Sequence, residues 1–168
     1  MITSFNPQNA VQMIPRDDLG FILNQLNFIN EGVEVGTYRG DFSAQLLTKW
    51  TGQKLYSVDC WQEQPEDVYS DKPPGQLQNF QMTAGKLAPF GLRSEIIRAF
   101  SIEAAKRFPD GYLDFAYLDA NHSYAATRDD LEVWGPKVRN GGLLCGDDYT
   151  ADYPGVAEAV NEIGRAHV

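Results

Sequence analysis

The run LDFAYLDANHSY, residues 113–124, decides how the chain is read: an apolar segment stops at Asp119, and His122 follows three positions later. A second apolar run, GGLLC (141–145), ends the same way, at Asp147 and Asp148. Short apolar runs bounded by turn residues mark buried strands. Working outward, GVEVG (32–36), KLYSVD (54–59) and SEIIRA (94–99) have the same character. Helical spacing fills the intervals at 37–50, 76–87, 101–108 and 123–134, and a last helix is predicted over 155–166. Strands alternating with helices make a parallel sheet covered on both faces, with right-handed crossovers. The fold class is therefore α/β: a Rossmann-like three-layer sandwich with a mostly parallel central sheet. Ligands of such sheets sit outside the carboxyl ends of the strands. Gly36, Asp59, residues 99–101, Asp119, Asp147 and Asp148 all fall on that rim.

The whole of 1–168 reads as a single domain. Its first thirty residues are expected to be a helical lead-in, with Pro15, Asp17 and Asp18 at a helix start. Leu19, Ile22, Leu23, Leu26 and Ile29 then form one apolar face. Residues 60–79, rich in Pro, Gln, Glu and Asp, form one long loop, expected to act as a lid through Trp61 and Tyr69.

A formal charge of −9 and a pI near 4.6, with no cluster of Lys and Arg, argue against a nucleic-acid surface. No apolar stretch approaches the ~20 residues a membrane span requires, and the N-terminus lacks signal-peptide features. Cys60 and Cys145 make neither a disulfide framework nor a metal-type spacing, so a cytoplasmic location is expected.

Several residues carry candidate chemistry. Gly36 and Gly40 follow a strand in VEVGTYRGDFS (33–43), where glycine permits a sharp turn and close backbone approach to a ligand. The G-x-G-x-x-G dinucleotide pattern is absent, which counts against a nicotinamide oxidoreductase. Asp59 ends the next strand, where a carboxylate grips a ribose diol, so a nucleoside-containing ligand is favoured. Asp119, Asp147 and Asp148 crowd one rim, and a hard cation such as Mg²⁺ relieves their repulsion; the alternative is that they cap turns and a helix. His122 is either a general base or a cap of the helix that follows it.

VEVGTYRGDFS, SVDCW (57–61), LDFAYLDANHSY and DDLEVWGPKVRNGGLLCGDDY (129–149) together resemble the class I S-adenosylmethionine-dependent methyltransferases, most closely the macrocin-type sugar O-methyltransferase branch. The resemblance implies that Glu34, Gly36, Tyr38 and Gly40 surround the methionine part of the cofactor, that Asp59 binds its ribose, and that Phe100 and Ser101 flank its adenine. It implies Mg²⁺, or another divalent cation, on Asp119, Asp147 and Asp148, His122 as base, and a small-molecule hydroxyl, on a sugar or diol, as acceptor. Two departures stand out. Asn121 occupies a position where some relatives place a carboxylate base. The usual C-terminal antiparallel strand pair is missing, which leaves the fifth strand as an open edge for a homo-oligomeric partner to cover. An inactive cofactor-binding or interaction module on the same fold is the alternative.

Overall fold

The computed structural model describes residues 2–6, 9–64 and 75–166. Strands β1 (Ile2–Asn6) and β2 (Asn9–Ile14) come first, then α1 (Leu19–Gln25), β3 (Glu31–Val35), α2 (Asp41–Lys49) and β4 (Lys54–Asp59). They are followed by α3 (Gly75–Leu87), β5 (Ser94–Arg98), α4 (Ser101–Ala105), β6 (Leu113–Leu118), α5 (Tyr124–Trp134), β7 (Val138–Gly146) and α6 (Pro154–Ala166). The sheet order is β2-β1-β7-β6-β3-β4-β5. Strands β7, β6, β3, β4 and β5 are all parallel, as the alternation of strands and helices predicts.

β6 is buried along most of its length because helices cover both sides of the sheet. On one side Phe115 and Tyr117 meet Leu19, Leu23, Phe42, Leu46 and Trp50 from α1, α2 and the end of α2. On the other, Val33, Val35, Val58 and Ala116 meet Ala104, Ala105, Phe108 and Trp134. Trp50 packs edge-on against Phe115 and donates its indole N–H to the Phe28 carbonyl at 2.6 Å, so this buried indole leaves no polar atom unpaired.

Three expectations need correcting. Residues 2–14 form two strands rather than part of a helical lead-in. Thr3, Ser4 and Phe5 of β1 pair antiparallel with Gly146, Cys145 and Leu144 of β7, and β2 pairs with β1. The edge expected to lie open is therefore closed by the chain's own N-terminus, and no strand follows β7 among the described residues. The β-branched residues Ile2, Thr3, Val11 and Ile14 suit that state, a signal too short to separate from irregular chain by periodicity. Secondly, α1 stops at Gln25 because Asn27 turns into the left-handed region (φ 58°). Leu26 and Ile29 thus sit 50% and 37% exposed instead of on the buried face. Thirdly, β7 starts at Val138, three residues before the apolar run 141–145 from which the strand is read. Val138 pairs with Leu113, and the register then slips at a bulge containing Gly141 (φ 75°) so that Leu143 faces Phe115.

Among the described residues no helix is long and apolar enough to cross a membrane. Most of the lid assigned to 60–79, Tyr69 included, lies outside the described residues. Trp61 is buried, its ring packs on Phe80, and its indole N–H reaches the Tyr38 carbonyl at 2.8 Å.

Candidate active site

Sheet register sets the rim. Val35 lies opposite Val58 on one side and Leu118 on the other, and Leu118 lies opposite Gly146. The next residue of each strand is therefore Gly36, Asp59, Asp119 and Asp147, four neighbours at one level. Rim hydrogen bonds continue the ladder: Gly36 N–H to Val58 O at 2.9 Å, Asp119 N–H to Val35 O at 2.8 Å, Asp147 N–H to Leu118 O at 3.2 Å. Above this edge opens a cavity of about 730 Å³, running from Phe100 past Asp59 and Gly36 to Asp119 and His122. That is a typical size for a small-molecule site.

Asp59 is held by two backbone amides. Its Oδ2 accepts the Tyr38 N–H and its Oδ1 the Trp61 N–H, both at 2.8 Å. Burial pushes its pKa above the ordinary carboxylate value, opposed by the amides of Trp61 and Tyr38. Tyr38 (φ 54°) and Trp61 (φ 45°), the two donors, are both left-handed, and Asp148 (φ 61°) is too. Strain at non-glycine residues of this kind collects where a site over-determines the backbone. Gly40 (φ 72°) caps α2 and lies against Thr83, closing the turn with its N–H on the Thr37 carbonyl at 2.9 Å.

Glu34 is placed differently from the expectation. It is buried under the turn, accepts the Ser43 hydroxyl, and is absent from the cavity wall. Burial pushes its pKa up to about 8 from 4.5, against the Ser43 hydrogen bond. The folded state therefore holds a proton that the unfolded state releases, so this residue's contribution to stability is present below pH 4.5 and is lost as pH rises to about 8. Glu34→Gln is expected to remove that slope and to raise stability at pH 8 by at least about 1 kcal/mol. Urea midpoints at acid and alkaline pH check this, and a variant with the wild-type slope would remove Glu34 as its source.

Phe100, half exposed, and Ser101 line the far end of the cavity. The Ser101 hydroxyl donates to Asp130 and accepts from the Trp134 indole at 2.8 Å. Asp130 is a cavity residue that sequence reasoning missed, because its place on α5 matches an ordinary polar helix position. It is buried, and burial pushes its pKa up to about 6 against the Ser101 hydrogen bond.

At the near end His122 Nε2 lies 2.8 Å from Asp148 Oδ2, and its ring packs 4.7 Å from that of Tyr153. Ser123, not His122, caps α5, through the Ala126 N–H at 3.3 Å. Asn121 builds the entry to that helix: its Oδ1 accepts the Ser123 N–H at 2.9 Å, and its amide donates to Gln64 at 3.1 Å. Burial first, then the carboxylates of Asp148 and Asp147, push Asp119 up to about 7 against the opposing charges of Arg16 and His122.

The three carboxylates expected to share a cation line one small recess at the ends of β6 and β7, together with His122. Asp119, His122 and Asp148 offer ligand atoms within 4.8 Å of one another. Asp147 instead faces Arg16, whose Nη1 stands 3.0 Å from Asp147 Oδ2 and 3.4 Å from Asp119 Oδ2. Arg16 was missed because nothing in the sequence links position 16 to a rim more than a hundred residues away.

A doubly wound parallel sheet whose strand order reverses between β3 and β6, with a cavity over the strand ends there, defines the class as a Rossmann-like domain. Residues 33–149 match a family model described as a methyltransferase domain. The chain belongs to that family, and its fold is that of the class I S-adenosylmethionine-dependent methyltransferases. It is 25% identical over 164 residues to the uncharacterized protein R132 of Acanthamoeba polyphaga mimivirus, covering 93% of this chain and spanning 64% of that relative's length. An O-methyltransferase from Bacillus cereus, solved with SAH, superposes with a TM-score of 0.65 at 13% identity, over 92% of this chain and 70% of the other. An rRNA methylase from Streptococcus thermophilus superposes at 0.60 with 18% identity, over 89% and 81% of the two chains. Neighbours with such different acceptors share the fold and leave the substrate open.

Proposed function

We propose that this chain transfers the methyl group of S-adenosylmethionine to a hydroxyl of a small molecule, a sugar or catechol-like diol. The observation that carries the reading is the Asp59 carboxylate, pinned by two backbone amides beside the Gly36 turn at the mouth of the large cavity. Each of its oxygens accepts one N–H and keeps capacity for one ribose hydroxyl. Phe100 offers a flat apolar face to the adenine, and the turn from Gly36 to Arg39, which lines the cavity without Gly40, is set to hold the methionine end. When bound, the cofactor supplies a methyl group activated by its sulfonium.

The chain's own residues do the rest. In this reading Nδ1 of His122, a buried nitrogen, takes the proton of the acceptor hydroxyl, while Asp148, 2.8 Å from Nε2, orients the ring and stabilises the imidazolium that forms. Asn121, an amide already committed to Ser123 and Gln64, takes no part as base. Rim residues hold the two reactants in line, which is the main contribution available to such a reaction. An acidic chain without a basic patch fits a small acceptor better than RNA. Two buried free thiols fit a reducing, cytoplasmic setting.

Divalent-cation assistance is a second reading, favoured by the convergence of Asp119, His122 and Asp148. In that case the imidazole would be a ligand and not the base.

The test is titration with S-adenosylhomocysteine, followed by turnover with a panel of sugars and catechols. The expected result for His122→Ala is cofactor affinity within about twofold of wild type and turnover lower by about 10²–10⁴. Wild-type turnover in that variant would remove His122 as base. A wild-type chain that binds cofactor but methylates nothing would support a binding module, and one that binds none would sink the assignment.

A further inference from the structure

Three carboxylates at the ends of β6 and β7 repel one another, and a positive charge beside them offsets that repulsion. Arg16 brings such a charge to Asp147 and Asp119. Its guanidinium spans Asp147 (3.0 Å) and Asp119 (3.4 Å), and stacks 4.4 Å from the Phe42 ring centroid, with the Tyr117 ring at 5.9 Å. Two ring faces and two carboxylates fix it in the cavity wall. A guanidinium stays charged throughout the accessible pH range, so this positive charge is permanent.

Chain topology explains how it arrives. Arg16 is the second residue after β2, and the β1–β2 pair docks on β7, the strand that leads directly to Asp147. One strand addition thus closes the sheet edge and delivers a cation to the acids at the end of the strand it covers.

We propose that Arg16 is a fixed cation of this rim, standing between Asp119 and Asp147 and taking the place of a divalent ion shared by all three carboxylates. Asp147 is then a positioning residue for Arg16, and Asp148 a partner of His122. For its functional meaning the inference rests on the methyl transfer proposed above: a cation assisting that transfer would have to sit on Asp119, His122 and Asp148, without Asp147.

Manganese(II) titration into the chain without cofactor, followed by the electron paramagnetic resonance of the free ion, tests the inference independently of turnover. Wild type is expected to bind Mn²⁺ only weakly, in the millimolar range. Arg16→Ala is expected to bind at least about tenfold more tightly, because Asp119 and Asp147 lose the guanidinium they share. Arg16→Gln, which keeps the stem on Phe42 and loses only the charge, should show the same gain even if the alanine variant fails to fold. Arg16→Lys, which keeps the charge, should stay near wild type. Micromolar Mn²⁺ binding by wild type that is lost in Asp147→Asn would overturn the proposal, and so would no gain in Arg16→Gln. Cofactor binding, titrated separately with S-adenosylhomocysteine, reports on the methyltransferase reading whichever way the manganese result falls.

Discussion

Asp59→Ala is expected to weaken S-adenosylhomocysteine binding at least about a hundredfold, because two charge-assisted hydrogen bonds at roughly 1.5–3 kcal/mol each are lost together. The loss reaches beyond the ligand. Tyr38 and Trp61 both hold left-handed backbone conformations, and the carboxylate between them accepts the N–H of each. Removing it orphans two amides at the mouth of the cavity and releases the strain that shaped both loops. The Trp61 indole still ties the loops through the Tyr38 carbonyl, so the domain should fold, with the damage confined to the site. Asp59→Asn separates the two contributions: it retains one acceptor oxygen and the shape, and its loss should be smaller, about tenfold. Calorimetric titration of all three proteins measures this directly. An alanine variant within threefold of wild type would mean that the ribose does not sit on Asp59.

How far the sequence reveals this site depends on how local each contact is. Asp59 and Gly36 are legible because a strand's last residue and the turn after it occupy neighbouring positions in any parallel sheet. The same rule places Asp119 and Asp147 side by side. It says nothing about where a side chain then points, and that is where the expectation for Asp147 departs from the structure: Arg16 claims it. Glu34 has the opposite history. Its strand position is read correctly, but alternation along β3 turns the side chain down onto Ser43 instead of up into the cavity. Asn121 looks like a defect in a catalytic motif, and in the structure it builds the turn into α5, accepting the N–H of the capping Ser123. The N-terminal hairpin is the largest gap. Residues 2–14 are too few to show a period, and their strand state depends on β7, far away in sequence, having an edge to offer.

Gly36→Ala should cost at least about 3 kcal/mol of stability and abolish cofactor binding, because no side-chain rearrangement can accommodate it. At φ 95° the residue lies outside the region that L-amino acids occupy without strain. A Cβ there would come 1.8 Å from the Asp119 carbonyl oxygen, 2.3 Å from its carbon and 2.7 Å from the Ala120 Cα, all backbone atoms. Relief requires β3 and β6 to part at the rim, where the Asp119 N–H meets the Val35 carbonyl at 2.8 Å. Asp119 starts the turn that carries Asn121 and His122, so the same displacement misplaces the acid end of the site. A matched control lies in α3: at Gly85 an added Cβ would meet nothing within 4 Å. Gly85→Ala should therefore stabilise the chain by about 0.5–1 kcal/mol through helix propensity alone. Urea denaturation of the pair separates position from residue type. If Gly36→Ala unfolded at the wild-type midpoint, the close approach of the two strand ends, and with it the geometry of the whole rim, would be wrong.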